Sequence, residues 1–220
     1  MAIAQKLIYT IFIALLVATL AHRECVADGR IAASAADVSP VQAGETAPGF
    51  TVRTVDDEPY VFDPGRLERP VVLITFRGGW CPYCNMHLSE LSRVVPEIQG
   101  KGIDVLFLSG DRPELLYSSL KRETREDIEG LAYTILSDAN VEAAKALGIA
   151  FRAEDATIER YESRGTDIAG SSMKNAHALP VPAVFVIDTD GRIAFSFVEA
   201  DYKVRLPADR LLAAAMELVD

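Results

Sequence analysis

ITFRGGWCPYCNMHL, residues 74–88, sets two cysteines three positions apart immediately after a tryptophan. Upstream, Val71, Val72, Leu73 and Ile74 begin a near-continuous apolar run through Phe76, the mark of a buried central strand. Downstream, Leu88, Leu91, Val94 and Val95 recur at helical spacing and predict a helix over 81–99. Pro96 falls inside that span, where it kinks or ends the helix. Cys81 therefore stands at a strand-to-helix junction. The pair could be a zinc clip, a structural disulfide, a dithiol that shuttles electrons between proteins, or a peroxide-reducing site.

Composition and the first residues narrow these uses. The chain has 220 residues, half of them apolar, enough to bury a core without disulfides. A formal net charge of −10 argues against a nucleic-acid partner, since a phosphate backbone attracts basic faces. Residues 1–27 read as a signal peptide: Lys6 closes a weakly positive start, and residues 7–21 form an uncharged apolar run. That run is shorter than the roughly 20 residues of a membrane span. Cleavage fits after Ala21 or after Ala27, and an uncleaved membrane anchor is the alternative. Either way the folded part is expected outside the cytoplasm, periplasmic or secreted.

Of three cysteines, Cys25 lies in or beside the removed segment, leaving Cys81 and Cys84. A disulfide framework uses more cysteines at wider spacing, and a bridge across two residues constrains the unfolded chain little. Zinc normally takes four ligands, and only His87 lies near the pair, with His177 far off in sequence. The redox uses are preferred.

Residues 28–41 are small and polar and read as a linker, with one domain expected over 42–220. Alternation around Asp56 and Asp57 predicts a hairpin, and 103–111 a second buried strand. The Asp111-Arg112-Pro113-Glu114 sequence resembles a capping box and predicts a helix to about residue 127. A short strand, a helix stopped by Gly148, two strands around the Asp190-Gly191 turn and a C-terminal helix follow. Leu206, Leu211, Leu212, Ala215 and Met216 form the expected buried side of that last helix. The polar stretch 151–179 reads as an inserted helix and loop near the site. Strands alternating with helices and ending in a hairpin give an α/β fold with a central mixed sheet flanked by helices.

At a helix N-terminus, unpaired N–H groups favour an anion, so Cys81 is the expected nucleophile, with its pKa lowered. Cys84, one turn on, is placed to attack a mixed disulfide or a sulfenic acid at Cys81 and so to resolve it. Trp80 would shield one side, and Pro82 fixes the first helical φ.

The Trp80-Cys81-Pro82-Tyr83-Cys84 motif after a buried strand resembles the active site of the thioredoxin fold. FRGGWCPYCNMHL, together with AGETAPGFTV and LPVPAVFVIDTDGRI, more specifically resembles the peroxiredoxin-like branch of the alkyl hydroperoxide reductase/thiol-specific antioxidant (AhpC/TSA) family. The resemblance runs from about residue 41 to the C-terminus and implies a thioredoxin-like fold, with Pro182 as a cis-proline facing the cysteines. The family's peroxidases carry a threonine three residues before the reacting cysteine and an arginine where the late strand begins. Here those positions are Gly78 and Pro182. Arg77 is a candidate substitute, able to stabilise the thiolate or hydrogen-bond a peroxide oxygen; the alternative is a solvated arginine at the sheet's end. Gly78 and Gly79 suit close backbone approach or a tight turn.

The expected function is an antioxidant, peroxidase-type cycle in which Cys81 and Cys84 form a redox disulfide that an external thiol reductant reopens. Protein disulfide exchange is the second reading, and a copper(I) module using Cys81, Cys84 and His177 the third. The preferred reading calls for no cofactor and no resident metal. Its partners are a hydroperoxide or a protein disulfide plus the reductant, and a homo-oligomer is compatible with it.

Overall fold

A computed structural model of the chain describes residues 30–131 and 133–219, so the expected signal peptide lies outside the described residues. The chain opens with the predicted hairpin, β1 (Phe50–Arg53) and β2 (Pro59–Phe62), turning through Asp57 at φ 61°. The apolar run becomes β3 (Val71–Phe76), buried at every position. After it come α1 (Pro82–Leu91) and α2 (Val95–Gly100), separate helices because Pro96 sits in the first turn of α2 and cannot continue α1.

β4 (Asp104–Ser109) is followed by α3 (Arg122–Ile128), β5 (Thr134–Ser137) and α4 (Glu142–Ala146), the last closed by Gly148 at φ 69°. β6 (Ala150–Arg152) and β7 (Ala178–Pro180) pair antiparallel outside the main sheet, with α5 (Asp155–Ser163) and α6 (Ser172–Asn175) between them. β8 (Ala183–Ile187), β9 (Ile193–Val198) and α7 (Ala208–Met216) complete the described chain.

The seven-stranded sheet runs β2-β1-β5-β4-β3-β8-β9. Its centre is parallel, β3 with β4 and β4 with β5, and its flanks antiparallel. Alternation along β3 divides the core. Val72, Ile74 and Phe76 face the layer holding α1 and α7, while Val71 and Leu73 face the layer of α4 and Phe185. The parallel centre leaves the C-terminal ends of β3 and β4 side by side, so the loops after Phe76 and Ser109 meet.

Three local expectations are corrected. Residues 113–127 are not one helix. Only a 3-10 turn, Pro113–Leu115, forms before α3, and the Asp111 side chain caps nothing there because its carboxylate is engaged with Gly79 and Ser119. The proposed linker is partly docked. Ala32 exchanges backbone hydrogen bonds with Ala150 and Arg152, and Val41 is buried.

Pro182 is not a cis-proline, because the described residues contain no cis peptide. The neighbours on both sides are in extended pairing. Val181 N–H donates to the Ile149 carbonyl, and Ala183 pairs with Thr75, whose hydroxyl accepts the Ala183 N–H at 3.1 Å.

Candidate active site

Cys81 is the N-cap of α1 and Pro82 its first helical residue, as the sequence suggests. A 3.1 Å bond from the Cys81 N–H to the Gly78 carbonyl tightens the entry turn. Asn85 then locks it, donating to the carbonyls of Gly79 at 2.6 Å and Cys81 at 3.0 Å and accepting the Lys121 N–H at 2.9 Å.

The role of the two glycines is geometric. Gly78 has φ 143°, and a Cβ there would collide with the Trp80 indole nitrogen and Asp111 Oδ1. A Cβ on Gly79 would run into Ser119. The space a threonine would need is thus taken by Asp111, whose Oδ2 accepts from Gly79 N–H at 2.7 Å and Ser119 Oγ at 2.8 Å. Burial raises the Asp111 pKa, partly offset by these donors. The Trp80 N–H lies within electrostatic reach of the same carboxylate without closing a hydrogen bond.

Both thiols are free and buried, Cys84 at 1% exposure and Cys81 at 2%. They share a hydrogen bond. Here the expectation of a lowered Cys81 pKa is corrected: its thiol is pushed up by the hydrogen bond to Cys84, by burial and by repulsion from a charged Cys84. Burial opposes ionisation of Cys84 too, but the hydrogen bond from Cys81 and the cations of Arg205 and Arg77 prevail and bring it down to about 6. The pair therefore gives up its first proton readily and holds its second.

Arg77 is not a solvated arginine; it is 6% exposed. Its guanidinium lies 4.4 Å from the Tyr202 ring centroid and 5.6 Å from that of Phe151, and its Nε has no hydrogen-bond partner among the described residues. Its charge favours ionisation of both cysteines. The insertion lies beside the site as expected. Tyr161 of α5 stands edge-on to Trp80, centroids 5.0 Å apart.

Other expectations fail. His177 is 60% exposed and faces Asp155 at 4.0 Å instead of the cysteines. Among the described residues no group of three His, Cys, Asp or Glu side chains could hold a metal, which removes the geometric basis of the copper reading. Tyr202, after the last strand, contacts Arg77 and stands edge-on to Tyr83. Sequence reasoning missed Asn85, Asp111, Ser119, Tyr161 and Arg205. Only Asp111, directly after a buried strand, carried a readable signal.

A Cys-x-x-Cys dithiol capping a helix beside a central mixed sheet defines a thiol-dependent oxidoreductase of thioredoxin-like fold. Residues 43–196 match the AhpC/TSA family, and the chain belongs to that family. Among curated relatives, it is 26% identical over 114 residues to thiol-disulfide oxidoreductase ResA of Halalkalibacterium halodurans, covering 52% of this chain and 61% of that protein. It is 24% identical over 160 residues to peroxiredoxin Bcp of Escherichia coli, covering 73% and 87%. The fold resembles that of a peroxiredoxin-like protein from Aquifex aeolicus, with a TM-score of 0.58, 20% identity and coverage of 82% and 90%.

Proposed function

We propose that the protein reduces hydroperoxides through a Cys81/Cys84 dithiol–disulfide cycle, outside the cytoplasm. The observation that carries this reading is the pair of free, buried thiols at the start of α1, with Arg77 and Arg205 beside them. Cys81 sulfur attacks the terminal peroxide oxygen, the O–O bond breaks, and the alcohol or water departs, leaving a sulfenic acid. Cys84 then attacks the Cys81 sulfur and expels its oxygen as water, forming a disulfide. Two electrons from an external thiol reductant restore the pair. Similarity to Bcp supports peroxide as the oxidant, and the apolar segment at residues 7–21 supports the compartment.

Protein disulfide exchange is the second reading, favoured by Gly78 and Pro182 where the family's peroxidases carry threonine and arginine, and by similarity to ResA. Stopped-flow oxidation of the reduced protein by hydrogen peroxide, followed through Trp80 fluorescence, separates the two. Oxidation well above the rate of a free thiol supports the peroxidase. A rate no faster than a free thiol, with turnover of a protein disulfide, transfers the assignment to exchange.

A further inference from the structure

Cys81 is 2% exposed, yet Pro82, the next residue, is open to solvent. The nucleophile therefore lies just beneath the surface, under a thin cover of side chains. Trp80 and Tyr83 flank it in sequence and are half-buried. Each is met by an aromatic ring from a distant part of the chain. Tyr161 of α5 stands edge-on to Trp80 with centroids 5.0 Å apart, and Tyr202 stands edge-on to Tyr83 at 5.5 Å. The Tyr161 side chain is within electrostatic reach of both Cys81 and Arg77.

The two ring pairs are not held alike. Beyond Tyr202 the chain is tied to α1 twice. The Leu206 carbonyl accepts from His87 Nε2 at 3.0 Å, and the Ala208 N–H donates to the Glu90 carboxylate at 3.0 Å. Arg77 adds a guanidinium 4.4 Å from the Tyr202 ring centroid. Among the described residues α5 makes no hydrogen bond or ion pair with α1. Ile158 is its one buried residue, in a small cluster with Ile168, Met173 and Leu179 of the same insertion. The Glu162–Lys174 ion pair at 2.6 Å and the bond from the Thr166 N–H to the Tyr161 carbonyl at 3.0 Å also stay inside the insertion. A cavity of about 360 Å³ lined by Trp80, Asp111, Ser119, Thr166 and Asp167 adjoins the same indole and gives the Trp80–Tyr161 pair room to part.

We propose that Tyr161 sets the size of substrate that reaches Cys81. Closed on Trp80, it admits hydrogen peroxide and short alkyl hydroperoxides through small side-chain displacements and shuts out those with a bulky substituent. A protein disulfide reaches the sulfur only when α5 moves off Trp80. The inference rests on the peroxide-reducing cycle above and names the substrate class of that site. The ring contributes shape, and its hydroxyl takes no part in the chemistry at sulfur. Because the insertion packs around its own small cluster, α5 can shift while β3 and α1 stay in place.

The test reads a ratio. Reduced protein is mixed with hydrogen peroxide and, separately, with cumene hydroperoxide, and loss of free thiol gives the two rate constants. Tyr161→Ala should raise the cumene-to-hydrogen peroxide rate ratio about tenfold over wild type. Tyr161→Leu serves if the alanine variant does not fold, and Tyr161→Phe, which keeps the ring, should keep the wild-type ratio. A ratio that rises in neither truncated variant overturns the proposal, as does one that rises equally in Tyr161→Phe. The same gate is read without peroxide in a Cys84→Ser background, by alkylating Cys81 with N-ethylmaleimide and with fluorescein maleimide and mapping the product by mass spectrometry. There Tyr161→Ala should speed the bulky reagent relative to the small one, and an unchanged ratio also overturns the proposal. If the maleimide ratio shifts as expected while hydrogen peroxide reacts no faster than with a free thiol, the peroxide reading fails and the gate stands.

Discussion

The Asp111 carboxylate accepts the Gly79 backbone N–H at 2.7 Å, joining the loops that leave β3 and β4 directly ahead of Trp80 and Cys81. This contact explains the double glycine. A side chain at position 78 would compete with Asp111 and Trp80 for the same space, so the entry turn of the active helix is built around a buried carboxylate.

Restoring the family's threonine should therefore damage the protein. Gly78→Thr combines an unfavourable positive φ with a collision against Asp111 and Trp80. A loss of about 2–5 kcal/mol is expected in urea unfolding, with a slower peroxide reaction. A stable variant with faster peroxide oxidation would contradict this account of the turn.

Asp111→Ala should strand the Gly79 N–H and leave Ser119 without its acceptor, at a cost of about 1–3 kcal/mol. Asp111→Asn keeps one acceptor oxygen and should lose less. Urea unfolding of the two variants side by side checks the order.

β3, the Pro82 start of α1 and the β1–β2 hairpin were legible because each is written in local periodicity or a turn residue. The dithiol was legible for the same reason: spacing and helix position lie within one short stretch. Arg205, Tyr202 and Tyr161 were not, because they reach the site only through the pairing of β8 with β9 and the fold of the insertion. Asp111 was misread as a helix cap. Its sequence context suits that role, and only the parallel register of β3 with β4 brings Gly79 close enough to claim it. The cis expectation for Pro182 rests on family resemblance alone, with no local residue pattern behind it, and the described residues contain no cis peptide.

His87 should make stability fall in mild acid. Burial lowers its pKa from 6.5 to about 4, so the folded state keeps it neutral where the unfolded chain already binds a proton. Its contribution is complete above 6.5 and is lost as pH falls toward about 4, a change of about 3 kcal/mol. The difference in unfolding free energy between wild type and His87→Gln, measured across that window, should shrink toward acid. A constant difference would contradict a buried neutral imidazole donating to Leu206.

Arg77→Met should remove a buried cation that favours ionisation of both thiols. The apparent second-order rate with peroxide should fall roughly tenfold at neutral pH and recover in part as pH rises, the sign expected when the thiolate has become scarcer. Arg77→Lys should rescue little, since a compact, strongly hydrated ammonium suits the buried place beside the Tyr202 and Phe151 rings less well than a guanidinium. Stopped-flow rates across pH provide the check.

The most direct test of the central claim is to identify the first oxidised sulfur. Reduced wild type, Cys84→Ser and Cys81→Ser are each mixed with one equivalent of hydroperoxide in the presence of a sulfenic-acid trap, then mapped by mass spectrometry. The account predicts a Cys81–Cys84 disulfide in wild type, a trapped sulfenic acid at Cys81 in Cys84→Ser, and no rapid oxidation in Cys81→Ser. Rapid trapping at Cys84 in Cys81→Ser, or no disulfide in wild type while a protein disulfide substrate is turned over, would contradict it.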